Sequence, residues 1–177
     1  MPLSKNMKIG IAAGVAAVVV ILIIVLVVVF MGGGGPSGRY IYIERVSTAA
    51  PAPDYINLDD VKALDAKGNS LMTGASVTTG ALLNNTTAVA PPSNLIDAAT
   101  GTIAHTQLAT GTDFSNQWYK IDLGSDKKIA KVVVTNRKDC CQDRAVGLQV
   151  RITNAAGKTI YTGPKITTAD PVYTYIL

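Results

Sequence analysis

The sequence holds one histidine, two cysteines, one tryptophan and 6% aromatic residues among 177. Each scarcity removes a class of function. One histidine among scattered acids leaves no catalytic triad. No Gly-x-Ser-x-Gly turn or metal-spaced cluster is present, so an enzyme or a zinc site has nothing to build on. Two cysteines cannot make a disulfide framework. Basic runs and aromatic–basic interleaving are missing, so the pI near 9.1 is no nucleic-acid signal. No internal repeat is visible. Sixteen cations face twelve acids. Lys5 and Lys8 precede everything else, so from residue 9 onward fourteen cations face twelve acids, a net +2.

What is abundant is concentrated at the N-terminus. Ile11 to Met31 reads IAAGVAAVVVILIIVLVVVFM, with neither charge nor proline. Twenty-one residues at ~1.5 Å each span about 31 Å, near the ~30 Å of a bilayer core. Lipid offers the backbone no partners, so this run predicts a transmembrane α-helix over residues 9–31. It is longer than the ~7–15 apolar residues of a cleaved signal peptide. Lys5 and Lys8 lie in a short segment, residues 1–8, and predict that the N-terminus stays inside while the rest of a single-pass chain emerges on the far side. Gly10 and Gly14 give a small-xxx-small spacing that would let two helices approach or would simply be small residues in an apolar helix. Residues 32–38, GGGGPSG, read as a flexible linker.

From Arg39 the pattern changes to short strands. Tyr40–Ile43, a piece near Val61–Leu64, Val132–Thr135, Leu148–Ile152, Lys158–Tyr161 and Val172–Ile176 are rich in β-formers, and the fourth alternates apolar and polar residues. Asn154-Ala155-Ala156-Gly157 reads as a turn between two of them. Between Ala49 and Gly111 large apolar residues are few and long loops are expected. Ser47–Pro53 reads as an extended contact segment. Trp118 and Tyr119 read as core and sheet residues. Asn84-Asn85-Thr86 and Asn85-Thr86-Thr87 are overlapping N-glycosylation sequons, meaningful if the domain enters a secretory lumen. The pattern predicts an all-β, antiparallel sandwich or barrel over residues 39–177, preceded by one transmembrane helix.

The order of four segments is more specific. YINLDDVKALD (Tyr55–Asp65) is followed by LID (Leu95–Asp97), QWYKIDLG (Gln117–Gly124) and IAKVVVTNRKDCCQDR (Ile129–Arg144). Together they resemble the discoidin, or coagulation-factor type C, superfamily of galactose-binding-like jelly-roll domains, and within it the fucose-binding F-type lectins. The resemblance covers Arg39 to Leu177. It implies a jelly-roll β-sandwich and a carbohydrate site made of a histidine, an Arg-x-Asp and a later basic residue. Arg137, Asp139 and Arg144 match that pattern. His105, the sole histidine, lies 31 residues before Arg137, counting those between. That is several more than in the family, and the loop Thr106–Asn116 is expected to absorb the excess.

The chemistry of such a site is intelligible. Sugar hydroxyls need planar donors and acceptors at fixed positions, and Arg137 and Arg144 donate in a rigid fork. Asp139 is expected to hold both guanidiniums. His105 donates or accepts through one ring nitrogen. The same three charged residues also suit a structural ion-pair network. The resemblance implies that Cys140 and Cys141 form a vicinal disulfide facing the apolar side of a sugar; two reduced thiols are the other reading. Neighbouring Cα atoms ~3.8 Å apart lie below the ~4.4–6.8 Å usual across a disulfide. Relatives of this kind also hold structural calcium. Asp97 is the candidate ligand, although Ala98-Ala99 stand where Gly-Asn is expected.

Two functions follow. The first is a non-enzymatic, membrane-anchored adhesion or structural module that docks capsid or glycoprotein partners near a lipid bilayer. The short anchored layout resembles minor capsid proteins of large DNA viruses, which would place it between a virion's internal membrane and its capsid. The alternative is a membrane-displayed lectin for fucose- or galactose-type glycans.

Overall fold

A computed structural model describes residues 35–49, 53–83, 89–99 and 101–177. The expected transmembrane helix over 9–31, the sequons at 84–87 and part of the contact segment lie outside them. No helix among the described residues is long and apolar enough to cross a membrane.

Nine strands follow one another in these residues: β1 (Ser37–Arg45), β2 (Asn57–Leu64), β3 (Ser76–Thr79), β4 (Ala104–His105), β5 (Trp118–Lys128), β6 (Lys131–Asn136), β7 (Leu148–Thr153), β8 (Thr159–Thr162) and β9 (Val172–Ile176). They pair antiparallel into a five-stranded sheet, β3-β5-β1-β7-β8, and a four-stranded sheet, β4-β2-β6-β9. Every connection but β7–β8 carries the chain from one sheet to the other. Side chains alternate along a strand, so each sheet needs apolar residues on one parity only. Ile41 and Ile43 of β1, Tyr119, Ile121 and Leu123 of β5, and Leu148, Val150 and Ile152 of β7 supply one inner face. Leu58, Val61 and Ala63 of β2 with Val132 and Val134 of β6 supply the other, and all belong to one buried cluster. The described residues are thus an all-β antiparallel sandwich with a single core.

The expected strands fall in β1, β2, β6, β7, β8 and β9, except that Lys158 belongs to the preceding turn and β8 starts at Thr159. β5 is longer than its motif and β2 begins at Asn57. Polar residues hide both extensions: Gly124–Lys128 is mostly exposed, and Asn57, Asp59 and Asp60 are buried although polar. The 154–157 turn is present. Asn154 Oδ1 accepts from Lys158 N at 2.9 Å, and Gly157 has φ +78°. In the contact segment Ala49 is buried, and its N–H donates to Asp54 Oδ1 at 2.5 Å.

β1 sets the polarity of the domain. It starts beside the end of β5, with Ser37 opposite Lys128. It ends eight residues later, about 26 Å away at ~3.3 Å per residue, at Arg45 beside Leu148. The candidate site gathers at this second end.

Candidate functional site

The loop after β6 is built from a buried amide outward. Asn136 is fully buried. Its Nδ2 donates to the carbonyls of Gln142 at 2.9 Å and Asp170 at 3.0 Å, while its Oδ1 accepts from Arg137 N at 2.9 Å. Gln142 Nε2 donates to Lys138 O at 3.0 Å and closes the loop on itself. Cys140 and Cys141 are joined in a vicinal disulfide, their Cα atoms 3.8 Å apart. Cys141 sits in the left-handed region at φ +63°. A 3₁₀ turn, Gln142–Ala145, follows and brings Arg144 back over the domain.

The two arginines have different partners, which corrects the expectation that Asp139 holds both. Arg137 takes the whole carboxylate, with Nε 2.6 Å from Oδ1 and Nη2 2.7 Å from Oδ2. The paired guanidinium pulls the Asp139 carboxyl down to about 2. Arg144 is carried away by the 3₁₀ turn. Its guanidinium lies 4.7 Å over the Tyr55 ring, and its Nη1 is 3.3 Å from His105 Nε2.

Strand pairing places His105, and residues 106–117 carry the chain from β4 to β5. β4 is two residues long and sets His105 opposite Asn57. Thr106 anchors the next step. It exchanges bonds with Ile56 N (2.8 Å) and Ile56 O (2.9 Å), and its hydroxyl donates to buried Gln117 Oε1 at 2.9 Å. His105 Nδ1 lies 2.7 Å from Thr106 O. A carbonyl only accepts, so Nδ1 carries the proton, and the neutral ring turns the Nε2 lone pair toward Arg144. Burial first, then the charges of Arg144 and Arg137, hold His105 below its ordinary pKa. Tyr55 meets the imidazole edge-on at 4.9 Å.

Two residues of this site escaped the sequence reading. Tyr55 opens the YINLDDVKALD segment, and Arg45 closes β1. Arg45 has a fully buried side chain. Its Nη1 donates to Val146 O (2.9 Å) and Ser47 O (3.2 Å), and its Nη2 to Tyr55 O and Arg144 O, both at 2.6 Å. Asp54 lies 3.4 Å from Nη1. Burial lowers the Arg45 pKa to about 10 against the pull of Asp54. The available signal was parity: Arg45 follows Ile41 and Ile43 at the core-facing positions of β1.

Asp97 is exposed, and its carboxylate is occupied by Ala99 N at 2.9 Å and the Thr102 hydroxyl at 3.0 Å. Among the described residues no three His, Cys, Asp or Glu side chains gather to hold a metal ion. The Asp97 carboxylate is thus engaged within its own loop. Buried Asp59 has its Oδ2 3.4 Å from Lys138 Nζ.

Comparison with known proteins bears on this region. Residues 94–175 match the F5/F8 type C family model described as a NedA-like, galactose-binding domain. Fucolectin-4 of Anguilla japonica is 33% identical over 87 residues, 49% of this chain and 49% of its own. Fucolectin-5 of the same organism is 33% identical over 72 residues, 41% of this chain and 35% of its own. A pentraxin fusion protein of Xenopus laevis is 40% identical over 38 residues, 22% of this chain and 9% of its own. The chain thus spans about half the length, or less, of the curated relatives it matches. These matches support a galactose-binding-like, discoidin-type domain.

Proposed function

We propose that this chain is a non-enzymatic carbohydrate-binding protein whose site for a fucose- or galactose-type sugar is formed by His105, Arg137, Arg144 and the Cys140–Cys141 disulfide. One observation carries the reading. His105 and Arg144 lie 39 residues apart in sequence yet meet at 3.3 Å, and the charge of Arg137 also acts on His105. Asp139 occupies Nε and Nη2 of Arg137, which leaves Nη1 to donate to a sugar oxygen. Arg144 keeps its remaining nitrogens, and neutral His105, whose one lone pair faces Arg144 Nη1, orients that guanidinium. Charged donors give the stronger hydrogen bonds, and their fork selects hydroxyl pairs of one geometry. The disulfide sulfurs and the Tyr55 ring supply apolar surface for the C–H face of a sugar.

The fucolectin relatives favour this reading over docking to a capsid. A helix over residues 9–31 would make the protein a membrane-tethered lectin. The site lies at the end of β1 opposite Ser37. The test is calorimetric titration of L-fucose into the full-length protein in detergent. Saturable binding, lost in Arg137→Ala, is expected. Heats no larger than those of dilution, with the protein folded, would defeat the reading.

A further inference from the structure

We propose that Arg45 is the positioning residue of this site: one buried guanidinium nitrogen holds the backbones of Tyr55 and Arg144 together and so sets the stack that presents Arg144 to His105. The inference rests on the carbohydrate reading for its function, and on geometry for its content.

Tyr55 precedes β2, Arg144 belongs to the 3₁₀ turn after β6, and Arg45 ends β1. The segments of Tyr55 and Arg144 are remote in sequence. Arg45 Nη2 donates to both of their carbonyls at 2.6 Å, and Nη1 donates to Val146 O and Ser47 O on the flanks. The side chain has no solvent exposure, so it touches no ligand; it acts only through the residues it holds. A guanidinium is suited to this task because its donors lie in one plane at fixed angles. Lysine keeps the charge opposite Asp54 but lacks that plane. The Arg144 guanidinium then sits 4.7 Å over the Tyr55 ring, and that ring abuts His105 at 4.9 Å. The arrangement at the sugar face is therefore inherited from a buried residue that the sugar never meets.

Its test uses a reporter the chain supplies. His105 is the single histidine, so its ring protons give one unambiguous NMR titration in the full-length protein. In Arg45→Lys, with strand content verified by circular dichroism, the His105 pKa should move up toward the ordinary histidine value. L-fucose affinity should fall at least tenfold. A purely structural role would lower the melting temperature and leave the His105 titration where it was; that result, with affinity unchanged, would overturn the proposal. If the wild-type protein binds no L-fucose but the titration still moves, the carbohydrate reading fails and the positioning role stands. Should Arg45→Lys not fold, the wild-type protein answers instead. On saturation with fucose the Arg45 Nη2 proton signals should shift more than those of Nη1, and fucose binding with no change at Nη2 would refute the proposal.

Discussion

The two ends of the sandwich are closed in different ways. At the end where the chain enters, turns satisfy themselves. Asp65 Oδ1 accepts from Lys67 N and Asn69 N, both at 2.8 Å, Gly68 supplies φ +84°, and Asn154 caps its own turn. At the site end, loops are held by buried side chains reaching across the sequence: Arg45 to four carbonyls, Asn136 to Gln142 and Asp170, Thr106 to Gln117 and Ile56. The first kind of closure is mostly local, although Ala155 N also donates to Asp126 Oδ1 at 2.8 Å. The second exists only once both sheets are assembled, and it alone can bring distant polar residues into one rigid arrangement.

The comparison breaks most visibly at Arg45. Arg45→Met strands four carbonyls and Asp54 around a hole, and should destabilise the domain by about 3–5 kcal/mol in urea unfolding. A loss under ~1 kcal/mol would mean that the site-end loops hold themselves. Arg144→Ala probes the half-buried product of the same network. It should weaken L-fucose binding by about 1.5–3 kcal/mol, the range for hydrogen bonds to charged groups, while urea unfolding shifts little. A glycine at the opposite end gives the smaller structural effect. Nothing lies within 4 Å of a Cβ at Gly68, so Gly68→Ala carries only the left-handed backbone cost of about 1–2 kcal/mol. Gly147 at the site end also has positive φ, +86°, but a Cβ there would collide with the carbonyls of Ser47 and Thr48. Gly147→Ala should therefore cost more than Gly68→Ala, and equal losses would erase the distinction between the two ends.

The same distinction explains what could be read from the sequence. The 154–157 turn and the strands with clean alternation were legible because their cause is local. Arg137, Asp139, the cysteine pair and His105 were legible through a resemblance, which supplies candidates but not partners. Asp139 was expected to hold two arginines and holds one, because the 3₁₀ turn at 142–145 diverts Arg144 to Tyr55. Arg45 and Tyr55 were missed because their roles rest on backbone carbonyls, and a carbonyl leaves no mark in the sequence.

The smallest predicted effect is the pH dependence. The folded protein keeps His105 below its ordinary value near 6.5, so the unfolded chain binds the proton more readily. His105's share of stability is therefore complete above ~6.5 and declines as pH falls through that value toward the folded pKa. The melting temperature should drop across this window, and less so in His105→Gln. Sugar affinity should decline with it, because protonation removes the Nε2 acceptor that faces Arg144 and sets two cations against each other. The Arg137–Asp139 pair persists far lower, since Asp139 titrates at about 2.

The central claim is that His105, Arg137 and Arg144 form one sugar site. Its most direct test follows the ring signals of the single histidine while L-fucose is added to the full-length protein. The account predicts a saturable shift of the His105 resonances that disappears in Arg137→Ala. Resonances that stay fixed through saturating fucose, in a folded wild-type protein, would contradict it.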